Sequence, residues 1–267
     1  VLVSPDVSVL IVNFRTKELT ADAVQSALAE PECHEVVVVD NASGDESVAF
    51  LEERFRSENR VKVVASGENR GFGAGNNLAA AESSGRYLFL LNSDALCLPG
   101  CLAQLRERLE SDSSIGLVAP SVYLPGQKSL QPDVSGWFPT VPRLLTRSVK
   151  RAPDPEEPEW VGGAALLARR SEFLDLGGFD EDLFMYLEDV LLCWHYRKRG
   201  FRIVREPAAG IIHLGGASMK SDWDRKARYY AAQDQYLRKT GASSLGIFAV
   251  RMLRWPAFVA SRLLGKA

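Results

Sequence analysis

Two kinds of hydrophobic spacing alternate through the first 110 residues. Short continuous apolar runs, rich in β-branched residues, occur at 7–14 (VSVLIVNF), 36–40 (VVVVD), 61–65 (VKVVA) and 87–91 (YLFLL). That is the pattern of strands buried on both faces. Between and after them, at 16–29, 46–56, 74–82 and 101–109, apolar positions recur every three to four residues, which predicts helices. Pro99 suits the first turn of the last of these. Strand and helix in alternation predict βαβ units, hence an α/β fold around a mostly parallel sheet. The regularity stops between 124 and 160, where seven prolines fall in 37 positions. A long loop, mobile or contacting an acceptor, is expected there, with one short helix near 143–149. Order resumes at 160–168 (WVGGAALLA), followed by a helix over 186–199, short strands at 201–204 and 211–213, and a helix over 223–239.

In such sheets ligands bind beyond the carboxyl ends of the strands. Asn13, Asp40 and Asp94 each fall at or just past such an end. Helix capping explains one or two of them better than all three. Asp94 closes the triplet Asn92-Ser93-Asp94, and a carboxylate there is suited to a hard divalent cation that keeps water and phosphate oxygens in its shell. The Gly-rich stretch 69–77 (NRGFGAGNN) lacks the Gly-Lys-Ser/Thr of a phosphate-binding Walker loop. Its evenly spaced Gly71, Gly73 and Gly75 match the dinucleotide fingerprint only loosely. Backbone N–H groups offered to a ligand, or a plain turn, fit it better. Glu188 and Asp189 close the densest acidic cluster, at the start of the helix over 186–199. They serve equally as dipole-compensating acids or as a general base. His213, just before Gly215 and Gly216, suits a core histidine, a metal ligand or a phosphate contact.

Composition changes the picture in two respects. Of the 267 residues, 46% are hydrophobic and 25% charged, which excludes wholesale disorder and a disulfide scaffold. The four cysteines are scattered without zinc-site spacing, so free thiols in a reducing compartment are expected. No apolar run reaches the roughly 18 residues of a membrane span and no signal peptide opens the chain, so a cytoplasmic location is expected. Charge, however, is uneven. Residues 220–267 hold ten Lys/Arg against three Asp/Glu, a net of +7, whereas residues 1–219 carry −9. An anionic partner for the tail is expected.

Six segments in order resemble the family 2 glycosyltransferases of the GT-A fold, and within them the bacterial rhamnosyltransferases of cell-surface polysaccharide assembly. They are VLIVNFR (9–15), VVVDNAS (37–43), NRGFGAGNN (69–77), LLNSD (90–94), GGFD (177–180), and FMYLED (184–189) with Cys193-Trp194. The resemblance implies a Rossmann-like, mostly parallel sheet flanked by helices, in a catalytic domain over 1–219. A nucleotide-sugar half would run to about 115, an acceptor half over 116–219 and a basic helical extension over 220–267. It implies inverting transfer of a sugar, L-rhamnose from dTDP-L-rhamnose, to a polyprenyl-diphosphate-linked sugar acceptor. Asp189 would be the base, Asp40 a contact of the donor nucleoside, and Asp94 the ligand of Mg²⁺ or Mn²⁺ on the donor diphosphate, with His213 completing the metal site. Asn13, Arg15, Asn69, Arg70, Gly71, Asn76, Asn92, Ser93, Trp160, Gly162, Gly163, Glu188 and Trp194 would contact substrates.

Many relatives carry Asp-x-Asp where this chain has Asn92-Ser93-Asp94, which leaves one protein carboxylate at the metal. The rival readings are a family 2 transferase using a UDP- or GDP-hexose or N-acetylhexosamine, and a nucleotidyltransferase or nucleotide-binding module without transfer activity. No nucleic-acid recognition motif accompanies the basic tail, so no nucleic-acid partner is expected. Over 245–264 a helical wheel puts Leu245, Phe248, Met252, Trp255, Val259 and Leu263 on one side, with Arg251, Arg254 and Arg262 on its flank. Pro256 is expected to divide this stretch into two short helices. A basic amphipathic segment over 241–267 fits an anionic membrane surface. Packing on the catalytic domain or a homodimer interface are its other uses.

Overall fold

Each of the four apolar runs is a strand in the computed structural model. It describes residues 6–126, 129–132, 134–147, 156–215 and 222–263, with backbone alone at 222–224 and 255–263. Strands β1 (Val7–Asn13), β2 (Cys33–Asp40), β3 (Val61–Ala65) and β4 (Tyr87–Leu91) pair in parallel in the order β3-β2-β1-β4. The crossovers are α1 (Lys17–Leu28), α2 (Ser47–Arg54) and α3 (Phe72–Ala81). The runs of β1, β2 and β4 are continuous rather than alternating because both faces of these strands are covered, whereas β3, at the sheet edge, is only half-buried. Val9, Ile11 and Phe89 face a layer that includes Ala23, Val24 and Leu105. Leu10, Val37, Leu88 and Leu90 face the opposite layer, with Ala79, Ala80, Leu192 and Tyr196. In register, Asn13 ends level with Asp40 at the carboxyl edge.

Beyond β4 the chain adds β5 (Ala95–Cys97), α4 (Cys101–Glu110), β6 (Ile115–Tyr123), β7 (Ser135–Gly136), α5 (Val141–Leu145), β8 (Trp160–Val161), β9 (Ala165–Arg169), α6 (Arg170–Asp175), α7 (Glu188–Lys198) and β10 (Arg202–His213). Among the described residues the sheet has eight strands in the order β3-β2-β1-β4-β9-β6-β10-β5, and β7 pairs with β8 apart from it. β9 runs antiparallel to β4 and β6, and β5 antiparallel to β10. The two short strands expected at 201–204 and 211–213 are one element. β10 stays paired to β6 across an irregularity between Glu206 and Gly210, so the polar interruption is a bulge rather than an end. The short helix of the Pro-rich segment is α5, earlier than expected because Pro142 favours a helix start. The rest of the expected 143–149 stretch, from 148 on, lies outside the described residues.

The chain closes with α8 (Asp222–Lys239) and α9 (Ser244–Leu263). A third apolar cluster joins them to α7 and the loop before it: Leu183, Leu187, Val190 and Leu191 meet Ala232, Tyr236, Leu237, Ile247 and Val250. α9 is one helix, not two, because Pro256 removes a single backbone donor without ending it. Arg251 and Arg254 pair with Asp234 of α8 instead of lying free on a flank. The side chains of Trp255, Val259, Arg262 and Leu263 lie outside the described residues. No helix among the described residues is long and apolar enough to cross a membrane.

Candidate active site

Asn13 is the hub of the carboxyl edge. Its Nδ2 donates to Asp40 Oδ1 at 2.6 Å and to Ser43 Oγ at 3.2 Å. Its Oδ1 accepts from Thr16 N at 3.2 Å, Thr16 Oγ1 at 3.1 Å and Thr20 Oγ1 at 2.9 Å. Asp40, 4% exposed, accepts further bonds from Ser43 N and Ser43 Oγ at 3.0 and 2.6 Å. Thr16 Oγ1 reaches across to Ser93 Oγ at 3.0 Å, tying the end of β1 to the Asn92-Ser93-Asp94 turn. Arg15 donates from its backbone N to Ser43 Oγ and from Nε to Ser43 O, both at 2.9 Å. Arg15 and Ala42 both sit in the left-handed backbone region, at φ 59° and 56°.

Asp94 and His213 converge from the β4 end and the β10 end. His213 Nε2 lies 3.1 Å from Asp94 Oδ1 and 3.3 Å from Asn92 Nδ2, and its Nδ1 lies 2.8 Å from Gln131 Oε1. Gln131 Oε1 is placed to accept from Nδ1, and in that tautomer Nε2 faces both Asp94 Oδ1 and the Asn92 Nδ2 donor. Nε2 and Asp94 Oδ1 then stand side by side as two potential metal ligands. One carboxylate and one backed imidazole fit a divalent cation that takes its other ligands from water and phosphate. Among the described residues no group of three or more His, Cys, Asp or Glu is placed to hold a metal, so the protein itself would supply only this part of the shell.

Asp189 occupies the second turn-in of the site. Its Oδ2 accepts from Gly163 N at 2.8 Å and its Oδ1 from Val190 N at 2.8 Å. The next residue, Ala164, accepts from Asn92 N at 3.0 Å. Two consecutive residues of one turn therefore hold the Asn92-Ser93-Asp94 turn on one side and the Glu188-Asp189 pair on the other. A Cβ on Gly163 would stand 3.2 Å from Phe72 and 3.4 Å from the Cβ of Asp189, so the close approach favours glycine. Burial raises the pKa of Asp189 against the lowering effect of the two N–H donors. Glu188 is 7% exposed, and its Oε2 has no partner among the described residues. Burial first, and the charge of Asp189 second, push its pKa up to about 8.

The loop leading into this pair is latched to the Gly-rich stretch. Phe72 N donates to Phe184 O at 3.1 Å, Asn77 Nδ2 to Phe179 O at 2.9 Å, and Arg70 pairs with Glu181. Asn69 Oδ1 accepts from Gly71 N and from Asn41 Nδ2, both at 3.0 Å. Tyr186 and Leu187, at φ 71° and 64°, are consecutive non-glycine residues in the left-handed region, each at a cost of about 1–2 kcal/mol. Other expected contacts are not gathered here. Asn76 is buried and donates to Phe72 O within α3. Trp194 packs on the C-terminal cluster beneath Lys198. Trp160 donates to Trp137 O at 3.0 Å. Gly162 does lie at the site: its N donates to Val134 O at 2.8 Å, and a Cβ there would stand 3.9 Å from Asp189 Oδ2. Thr16 and Gln131, which help orient the central side chains, carry no sequence signal of their own, and Ser43 is visible only as the end of the segment 37–43.

With this geometry in view, the family model described as "Glycosyl transferase family 2" matches residues 8–172. The N-acetylglucosaminyl-diphospho-decaprenol L-rhamnosyltransferase of Mycobacterium tuberculosis is 28% identical over 205 residues, covering 67% of this chain and 66% of that protein. The chain thus spans just under two thirds of that relative's length. Rhamnosyltransferase WbbL of Escherichia coli K12 is 23% identical over 241 residues, covering 84% of this chain and 89% of WbbL. Among solved structures, the mannosyltransferase PcManGT from Pyrobaculum calidifontis, in complex with GDP-Man and Mn²⁺, superposes with a TM-score of 0.67 at 18% identity. It covers 99% of this chain and 77% of PcManGT, a likeness of fold.

Proposed function

Because the chain belongs to glycosyl transferase family 2, we propose that it moves L-rhamnose from dTDP-L-rhamnose, with inversion, onto a sugar carried on a polyprenyl diphosphate. The observation that carries this reading is the turn at Gly163 and Ala164, which holds the half-buried Asp189 carboxylate and the Asn92-Ser93-Asp94 turn side by side. A base beside a diphosphate site suits a single displacement at an anomeric carbon. Asp189, held by two backbone donors, takes the proton of the acceptor hydroxyl as that oxygen attacks. Glu188 keeps its own proton, so the site presents one negative charge to the acceptor instead of two. Only one carboxylate is needed for inversion without a water nucleophile, unlike the pair of a hydrolase.

Asp94 and His213 would hold Mg²⁺ or Mn²⁺, which neutralises charge on the leaving diphosphate. Asp40 and Asn13, fixed in one orientation by Ser43 and Thr16, form the floor for the nucleoside. Both rhamnosyltransferase relatives support the rhamnosyl donor, and the first of them, named for an N-acetylglucosaminyl-diphospho-decaprenol acceptor, supports the lipid-linked acceptor. A peripheral position on the inner face of the cell membrane follows from an acceptor of that kind.

The test is transfer from dTDP-rhamnose to N-acetylglucosaminyl-diphosphate on a short prenyl tail, by wild type and Asp189→Asn. The variant should lose about 10²–10⁴ in turnover and keep its donor affinity. Turnover within roughly tenfold of wild type would remove Asp189 from the role of base.

A further inference from the structure

Helix α8 lies beyond the matched family segment, yet it meets the loop that delivers the base. Lys239 pairs with Asp180 and Asp182 at 2.8 and 2.7 Å, and Gln235 Nε2 donates to Asp182 O at 2.9 Å. Both residues of the strained pair before Glu188 pack on the C-terminal apolar cluster, Leu187 within it and Tyr186 against it. Leu187 is buried with Ala232, Tyr236 and Leu237. Tyr186 meets Tyr229 of α8 edge to face, with ring centroids 6.0 Å apart at 67°. Tyr229 in turn meets Tyr230 at 6.0 Å and 64°. Held edge to face by two neighbours, Tyr229 as a residue is still 36% exposed. Burial first, then Tyr230 and the charge of Asp189, raise its hydroxyl pKa.

We propose that Tyr186 and Tyr229 form the platform on which the sugar ring of the acceptor rests, so that α8 sets acceptor specificity. The inference rests on the transferase reading above. A pyranose has an apolar C–H face and a polar rim. An aromatic face takes the first by dispersion and leaves the hydroxyls of the rim free to turn toward Asp189. Tyrosine offers that area with only two side-chain torsions to freeze, and the contact with Tyr186 holds the Tyr229 ring before any ligand arrives. The left-handed backbone at Tyr186 is what aims its ring at α8 instead of continuing α7 backward. The acceptor and the base are thereby registered to one another through two adjacent residues of chain.

The experiment varies the short-prenyl N-acetylglucosaminyl-diphosphate at saturating dTDP-rhamnose. Tyr229→Leu, which keeps bulk without an aromatic face, and Tyr229→Ala should raise the acceptor KM about three- to tenfold. The dissociation constant of dTDP-rhamnose, read by thermal shift, should stay at the wild-type value. Tyr229→Phe should match wild type, because the ring and not the hydroxyl makes the contact. An acceptor KM in Tyr229→Leu within about twofold of wild type, with wild-type transfer intact, overturns the platform and leaves the transferase reading standing. A wild-type enzyme that binds and transfers no nucleotide sugar overturns both.

Discussion

Two neighbouring carboxyl groups with restricted access to water cannot both carry charge at low cost, and the backbone donors favour the charge on Asp189. Asp189 has a backbone N–H on each oxygen, whereas Glu188 Oε2 has no donor among the described residues. The proton therefore resides on Glu188, pushed up to about 8 from the ordinary value of 4.5. Between those two values the native protein holds a proton that the unfolded chain has released, so stability falls as pH rises across the window. Glu188→Gln should flatten the dependence of Tm on pH between about 5 and about 8 and raise Tm at the upper end. A variant that keeps the wild-type slope would show that the proton sits elsewhere. A second residue-scale expectation concerns Gln131, whose oxygen faces His213 Nδ1 at 2.8 Å. Gln131→Ala should raise the Mn²⁺ concentration that supports nucleotide binding by about 10- to 100-fold, the usual effect of removing a group behind a ligand. Isothermal titration with dTDP and Mn²⁺ would measure it, and an unchanged midpoint would detach Gln131 from the metal site. Asn13, Asp40 and Asp94 were legible because each is a polar residue at the end of an apolar run. Gln131 was not, because 82 residues separate it from His213 and a glutamine among prolines looks like any solvated loop residue.

At the scale of elements, the first four strands and their helices were readable because each presents one period cleanly. β6 was not, since Gly116, Pro120 and Ser121 interrupt its apolar run. Only in the fold does a reason for Gly116 emerge: a Cβ there would stand 2.5 Å from Tyr196 and 2.8 Å from Phe201. α6 is too short for a period to show, and the antiparallel direction of β9 depends on a partner that local spacing does not specify. Glycine spacing in 69–77 raised the question of a phosphate loop, but Gly71 answers to another element. At φ 93° it places its α-carbon so close to the base loop that a Cβ would stand 2.1 Å from Phe184 O. Gly71→Ala should therefore combine a left-handed backbone penalty with a forced separation of α3 from the loop before α7, for a loss of about 2 kcal/mol or more. Urea unfolding would read the loss, and acceptor kinetics would read the displaced base. A loss below about 0.5 kcal/mol would mean that the loop moves aside freely and the latch is weak.

Over the whole molecule the uneven charge of the sequence finds a partial internal answer. Arg251 and Arg254 of α9 both converge on Asp234, whose side chain is 10% exposed, and Ile247 and Val250 face the core. The opposite side of the same helix is open, with Leu245 77%, Phe248 58% and Met252 55% exposed. Single exposed apolar residues are ordinary, but a row of them on one helix marks a contact surface. No acid occurs from 241 to 267, while Arg262 and Lys266 add two more cations. That combination favours an anionic lipid surface, and with two arginines already engaged by Asp234 the apolar insertion outweighs the charge attraction. Removing the helix would be a poor test, because it would strip Asp234 of its partners and uncover Ile247 and Val250. The clean variant is Leu245→Ser with Phe248→Ser and Met252→Ser, which touches only exposed side chains. It should lower co-sedimentation with phosphatidylglycerol-rich vesicles by roughly tenfold or more, since each buried apolar side chain contributes about 1.5–3 kcal/mol. High salt should weaken wild-type binding by much less than the triple change does. If the variant pellets as well as wild type, the open face of α9 does not meet lipid. If light scattering shows wild type as a dimer and the variant as a monomer, a second copy of the chain covers that face instead.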